Sequence, residues 1–234
     1  FKDVFFSPGI SFTLDDLTTD STASELLKKQ AGTSTDATFN YSLRTDKRDR
    51  RFMPTSGYLT SFFQELPLYA DQPFIKNTFF SSHYKEFSED MIGALKFSAS
   101  AINGLDNEDV RVSQRLVLST RRLRGFEPGK VGPVDGTDYI GGNYTTSLNL
   151  EANFPNFFPE KSNAEIGLFL DAGNVWGVDY SDTIDDSNKI RSTLGLNTSW
   201  ISPAGPMSFI FSHNLTKAST DRDQSFTFRL GTTF

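Results

Sequence analysis

The amino-acid sequence predicts an all-β fold of antiparallel strands, and three observations carry that expectation. Apolar and polar residues alternate with period two along most of the chain, while helical period is almost absent. Aromatic residues are dense: 23 Phe, 7 Tyr and 2 Trp make up 14% of 234 residues, and residues of this kind favour sheets and membrane interfaces. The connections also differ in character, with short proline-rich turns ("FPNFFPEKSN", "SPAGP") contrasting with long polar stretches at residues 16–35, 121–141 and 177–188.

Taken in order, strands are predicted over residues 4–15, 36–46, 57–68, 74–87, 90–102 and 110–120. In "GGNYTTSLNLEANF" the residues Tyr144, Thr146, Leu148, Leu150, Ala152 and Phe154 oppose Asn143, Thr145, Ser147, Asn149, Glu151 and Asn153. In "NAEIGLFLDAGNVW" Ala164, Ile166, Leu168 and Leu170 oppose Glu165, Gly167, Phe169 and Asp171. Strands at 189–202 and 206–216 follow, and the closing "QSFTFRLGTTF" places Phe226, Phe228, Leu230, Thr232 and Phe234 opposite Ser225, Thr227, Arg229 and Thr233. That makes about eleven strands, each near the roughly ten residues that a tilted membrane strand needs. The best helical candidate, "TASELLKKQAG" at 22–32, is short, polar and ends at Gly32.

Two architectures fit this pattern. A membrane β-barrel alternates apolar and polar faces, but so does a water-soluble β-sandwich, whose solvent face would carry the same carboxylates and asparagines. A membrane helix is excluded, since no run of about 18 apolar residues occurs, and no signal peptide opens the chain. The net charge of −6 argues against nucleic acid as a partner, because phosphate neutralisation needs an excess of Lys and Arg. With no cysteine there are no disulfides or thiolate sites.

Catalytic motifs are thin. His83 and His213 are the only histidines, and neither has an evident partner as a general base. "GFEPGK" lacks the Ser or Thr of a phosphate loop and is followed by a strand pattern rather than a helix. "GPVDG" and "LDDL" lack the spacing of a calcium loop, so neither a metal nor a cofactor is expected.

Five ordered segments resemble the BamA-type family of outer-membrane β-barrel assembly factors, in the surface-antigen superfamily. "LRGF" (Leu123, Arg124, Gly125, Phe126) is similar to the family's signature in its long sixth extracellular loop, and "GP" at 132–133 and "GGN" at 141–143 follow as they do there. "RDRRFMPTSG" (48–57), "FLDAGNVW" (169–176), "SPAGP" (202–206) and the C-terminal "FTFRLGTTF", which ends in an aromatic residue, match further family segments. The approach "LVLSTRRLRGF" departs from the family in lacking a Gly-Gly pair before the signature.

The resemblance implies an antiparallel transmembrane β-barrel in the bacterial outer membrane, of which this chain would supply the C-terminal portion, about eleven strands of an expected sixteen. On that expectation the first strands and the preceding POTRA domains lie outside the sequence. The resemblance further implies that Arg124 folds into the lumen against Glu151 and Asp171. It implies a non-enzymatic insertase that needs no ATP, has no cofactor, and opens a seam at its last strand (223–234). The residues implied at that terminal signal and seam are Phe226, Phe228, Leu230, Gly231 and Phe234. Expected partners are unfolded outer-membrane protein clients, accessory lipoproteins and outer-membrane lipid, with no nucleic acid. A polypeptide-secretion barrel, a TamA-like relative and a passive porin are the alternatives.

Overall fold

A computed structural model describes residues 3–106, 109–159, 162–179, 184, 189–202 and 205–231. The first five strands are β1 (Phe5–Leu17), β2 (Gly32–Asp46), β3 (Gly57–Ala70), β4 (Phe74–Ser88) and β5 (Met91–Gly104). A two-residue hairpin follows, β6 (Val134–Asp135) with β7 (Asp138–Tyr139). The remaining strands are β8 (Tyr144–Phe154), β9 (Ala164–Trp176), β10 (Arg191–Ser202), β11 (Gly205–Thr216) and β12 (Phe226–Leu230). All but the small hairpin join one antiparallel sheet in chain order, with β1 and β12 at its two edges.

The faces of this sheet decide between the two architectures. Leu95, Leu148, Leu168, Leu194, Phe211 and Phe226 point outward and are exposed, whereas Ser82, Ser147, Asn149, Asp171 and Thr193 point inward and are buried. A sandwich in water would bury the apolar set. The reverse arrangement suits a sheet whose outer face meets hydrocarbon and whose inner face lines a polar lumen. Strands β1 to β5 run 13 to 15 residues, longer than the roughly 9–11 needed to span, so they project beyond the apolar band.

The connections alternate between two rims. One rim carries the connections from β2 to β3 (47–56), from β4 to β5 (89–90), from β8 to β9 and from β10 to β11. The other carries residues 18–31, 71–73, 105–143, 177–190 and 217–225. Within 18–31 lies α1 (Glu25–Lys29), whose N-terminus is capped by the Ser24 hydroxyl accepting from the Leu27 amide at 3.1 Å.

One predicted strand is not a strand. Residues 110–120 form a single 3₁₀ turn (Val112–Gln114) and an isolated bridge between Leu116 and Gly142, while β5 pairs directly with β8. Among the described residues the main sheet has ten strands, in keeping with the about eleven expected, and 110–120 is the one predicted strand it does not contain. The physical reason lies in the segment's burial, which ignores parity: Val110, Arg111, Arg115, Leu116 and Leu118 are all buried. Val110 and Leu116 pack on Phe74 and Ile102, and its amides bond to side chains, Val110 N–H to Asp179 at 3.1 Å and Val112 N–H to Gln30 at 2.8 Å. The long 105–143 connection thus folds inward as a plug instead of adding a strand.

The plug has an apolar core of its own, made by Leu118, Leu123, Phe126, Val131 and Val175. Phe126 is almost fully enclosed there. Truncating it in Phe126→Ala removes the largest member of that cluster, at a cost of about 3–5 kcal/mol if the space stays open. The expected result is faster protease cleavage within 121–141 of the folded barrel, with the sheet itself still resistant; unaltered cleavage would contradict the assignment of Phe126 as the plug's anchor.

Candidate functional site

The inward loop delivers Arg124 to the inner face of β8 and β9. Alternation places Asn149 and Glu151 of β8 and Phe169 and Asp171 of β9 on that face, and the register sets Asn149 directly across from Asp171. Arg124 Nε donates to Asp171 Oδ2 at 2.7 Å and Nη2 to Oδ1 at 2.6 Å, a bidentate fork, and the Arg124 backbone N–H adds a third bond to Oδ2 at 3.1 Å. Glu151 Oε1 lies 2.9 Å from the same Nη2. The guanidinium also sits 3.7 Å above the centre of the Phe169 ring.

Each carboxylate has further partners. Asn149 Nδ2 donates to Asp171 Oδ1 at 2.7 Å and to the Arg122 carbonyl at 2.8 Å, so one amide ties the loop backbone to the same acid. Lys96 of β5 donates to Glu151 Oε2 at 2.6 Å. Arg124 is 7% exposed and Asp171 fully buried, so this pair is beyond the reach of the screening that weakens surface ion pairs.

Gly125 is where the loop turns. Its φ is +90°, and a Cβ would lie 2.4 Å from Asn214 Oδ1 and 2.8 Å from Thr193 Oγ1, so only glycine fits. Its carbonyl accepts from Asn214 Nδ2 at 2.9 Å and from the Gln224 amide at 3.0 Å. Phe126 bridges Asp223, and Glu127 N–H donates to the Arg222 carbonyl at 3.0 Å. The signature loop is therefore laced to the segment that leads into β12.

At the terminal strand, Phe226, Phe228 and Leu230 face outward and are exposed, and β12 is only five residues long, pairing with β11 on one side. Arg229 faces inward, and its Nη2 donates to the Thr120 carbonyl at 2.8 Å. Gly231 follows with φ +128° and nothing within 4 Å of a Cβ position, so it serves backbone conformation rather than close packing. Phe234 lies outside the described residues.

Several site residues carry no sequence signal specific enough to single them out. Asn149 and Phe169 are on the predicted inner face but look like any alternating residue there. Lys96, Asn214 and Arg229 depend on contacts between distant segments. Arg122, left without a role by the sequence, stacks over the Phe80 ring at 4.3 Å, whereas Arg121 is exposed.

A second buried lock ties the start of β10 to the β11–β12 connection, where Arg191 Nε donates to Asp221 Oδ2 at 2.9 Å. A third holds the plug's entry: Asp179 accepts from the Val110 amide at 3.1 Å, from Asn143 Nδ2 at 2.8 Å and from Arg115. Burial alone would push the Asp179 carboxyl up, but those donors outweigh it and hold it below the ordinary aspartate range.

Two outcomes follow from these contacts. Asp171→Ala strands a buried guanidinium, with an expected loss of about 3–5 kcal/mol in thermal unfolding, whereas the paired change Arg124→Met with Asp171→Leu recovers most of it. Equal losses in both variants would contradict the ion-pair account. For Asp179 the folded-state pKa is depressed, so its anchoring is complete above the unfolded value of about 3.9 and is lost only as pH falls through the lower folded value. Hydrogen exchange of residues 110–116 should therefore stay slow from pH 7 down to about 4 and quicken below, a dependence that Asp179→Asn removes.

Comparisons with known proteins agree with this architecture. The Omp85 superfamily domain matches residues 6–234. The chain is 27% identical over 217 residues to the outer membrane protein assembly factor BamA of Neorickettsia risticii, covering 91% of this chain and 29% of that protein. It is 33% identical over 141 residues to the BamA of Neisseria meningitidis, covering 48% of this chain and 17% of that protein. The crystal structure of BamA from Haemophilus ducreyi lacking POTRA domains 1–3 superposes with a TM-score of 0.85 at 21% identity, over 97% of this chain and 51% of that one. The chain thus spans between about a sixth and about a half of these proteins. With nearly its whole length matched by one domain, the chain belongs to the Omp85 superfamily.

Proposed function

We propose that the chain is the C-terminal portion of the barrel of an outer-membrane protein assembly factor, which folds and inserts other β-barrels without ATP and without enzymatic chemistry. It is an outer-membrane protein, and its bacterial relatives carry the assembly name. The observation that carries the reading is the tie between the signature loop and the last strand: the Gly125 carbonyl and the Glu127 amide bond to residues 222–224, and Arg229 of β12 donates to the Thr120 carbonyl. A strand edge presents amide and carbonyl groups whose exposure to hydrocarbon is costly, so it can template an incoming strand that completes its ladder.

On this reading the outer-membrane clients dock at the β12 edge, accessory lipoproteins assist from the short-turn side, and Arg124 keeps the loop seated while the seam works. The experiment uses the whole protein in liposomes with a urea-unfolded client barrel and no nucleotide. Folded client, scored by its heat-modifiable gel mobility, should accumulate at least about tenfold faster than in empty liposomes, and Arg124→Ala should remove most of that gain. Equal rates with and without the protein would overturn the proposal, and an ion conductance with no acceleration would assign a passive pore instead. Removing Phe234 should lower the folded yield of this protein itself in cells, through loss of its own terminal signal, and normal yield would contradict that role.

A further inference from the structure

A second polar cluster lies on the lumenal wall nearer the short-turn rim, apart from the Arg124 site. Glu165 of β9 is 8% exposed, yet among the described residues its carboxylate has no hydrogen bond or ion pair. One register step along the same face, Asn153 of β8 and Asn197 of β10 flank Gly167 of β9. Both amide oxygens are buried and unpartnered. They converge: a Cβ on Gly167 would stand 2.3 Å from Asn153 Oδ1 and 2.7 Å from Asn197 Oδ1. Ser199, paired with Glu165, adds a hydroxyl.

Glu165, Asn153, Asn197 and Ser199 line a cavity of about 210 Å³ that is also bordered by Arg48 and residues 51–54 of the β2–β3 turn, by Lys96 and Arg229, and by Arg121 and Arg124 of the loop. An ionised carboxylate that is taken from water without a counter-charge is expensive, and so is each unmade amide bond. The charges that bear on Glu165 are those of Arg50, Glu151 and Lys96. All three are engaged elsewhere: Arg50 donates to the Met53 carbonyl at 2.6 Å, and Lys96 and Glu151 bond to one another. The cluster thus gathers acceptor oxygens that have no partner among the described residues: the Glu165 carboxylate and the amide oxygens of Asn153 and Asn197.

We propose that Glu165, Asn153, Asn197 and Ser199 form a binding site for a guanidinium group, laid flat over Gly167. The chemistry selects that group because a planar guanidinium offers five N–H donors in one plane to the acceptors of a flat sheet wall, whereas an ammonium offers three on a tetrahedron. Gly167 lets the two amide oxygens converge: with no side chain, the space a Cβ would take is filled by Asn153 Oδ1 and Asn197 Oδ1, and the guanidinium meets that pair of acceptors. Two sources can supply the group. One is Arg51 of the chain's own turn, which is exposed, whose side chain makes no bond among the described residues and which lines the same cavity. The other is an arginine of a polypeptide segment in the lumen. The inference does not rest on assembly activity, since binding is read without inserting any barrel.

The test uses the whole protein in detergent micelles with a fluorescent ten-residue peptide of alternating pattern carrying one central arginine, and the same peptide with citrulline, which keeps the shape but not the charge. Binding is read by anisotropy on the wild type and on Arg51→Ala. A preference of about tenfold for arginine in either protein supports the site, corresponding to about 1.4 kcal/mol. If the preference is present only in Arg51→Ala, the turn is the resident occupant; if it is equal in both, the source is a separate polypeptide. Glu165→Gln and Gly167→Ala, checked for folding by heat-modifiable mobility, should each abolish it. Equal binding of the two peptides to both the wild type and Arg51→Ala, or a preference that survives both site variants, overturns the proposal.

Discussion

The interior of this sheet depends on the charge of Asp171. A sheet with its apolar residues turned to hydrocarbon must line its inside with polar groups, and at β9 that places a carboxylate where no water reaches it. Such a group persists only with a cation and enough donors to fill its lone pairs. The neighbouring strands supply one, the Asn149 amide. The rest come from Arg124, through two guanidinium bonds and a backbone amide. The long connection between β5 and β8 is therefore drawn inward, because its arginine is the partner that the strand wall lacks.

Once the loop is inside, its own backbone needs partners, and the surrounding segments provide them. Gly125, Glu127 and Lys130 exchange bonds with residues 222–224, and Arg229 reaches Thr120. Apolar loop residues meet Val175 rather than lipid. One ion pair thus recruits an apolar cluster, a stretch of irregular backbone pairing and a tie to the last strand. Two other ion pairs, the buried Arg191 with Asp221 and Arg115 with the more exposed Asp179, hold the ends of the same assembly.

Much of this was legible in the residue order. Period two marks the strands of the sheet, since over β8 to β12 the inner face is mostly polar and the outer face mostly apolar. The faces of Glu151 and Asp171 follow from counting. What counting cannot see is a segment that alternates without belonging to the sheet. Residues 110–120 alternate as strands do, yet the Val110 and Val112 amides bond to the side chains of Asp179 and Gln30, which are remote in sequence, and only Leu116 makes a bridge. The choice between barrel and sandwich was equally hidden, because the pattern is the same and only the direction of exposure differs. Contacts such as Arg229 with Thr120 or Asn214 with Gly125 join residues whose proximity is created by the fold itself.

The bond between Arg229 and Thr120 has a bearing on the order of assembly. It links residues 109 positions apart, whereas Arg124 and Asp171 are 47 apart. Closing the longer span costs more chain entropy, and it has no partner until β12 has docked on β11. The lumen is thus fastened in two stages: the arginine fork needs only β8 and β9, and the second tie awaits the final strand. A chain arrested before its C-terminus would hold the plug by one end alone, which makes the state of the loop a report on whether the sheet has been completed.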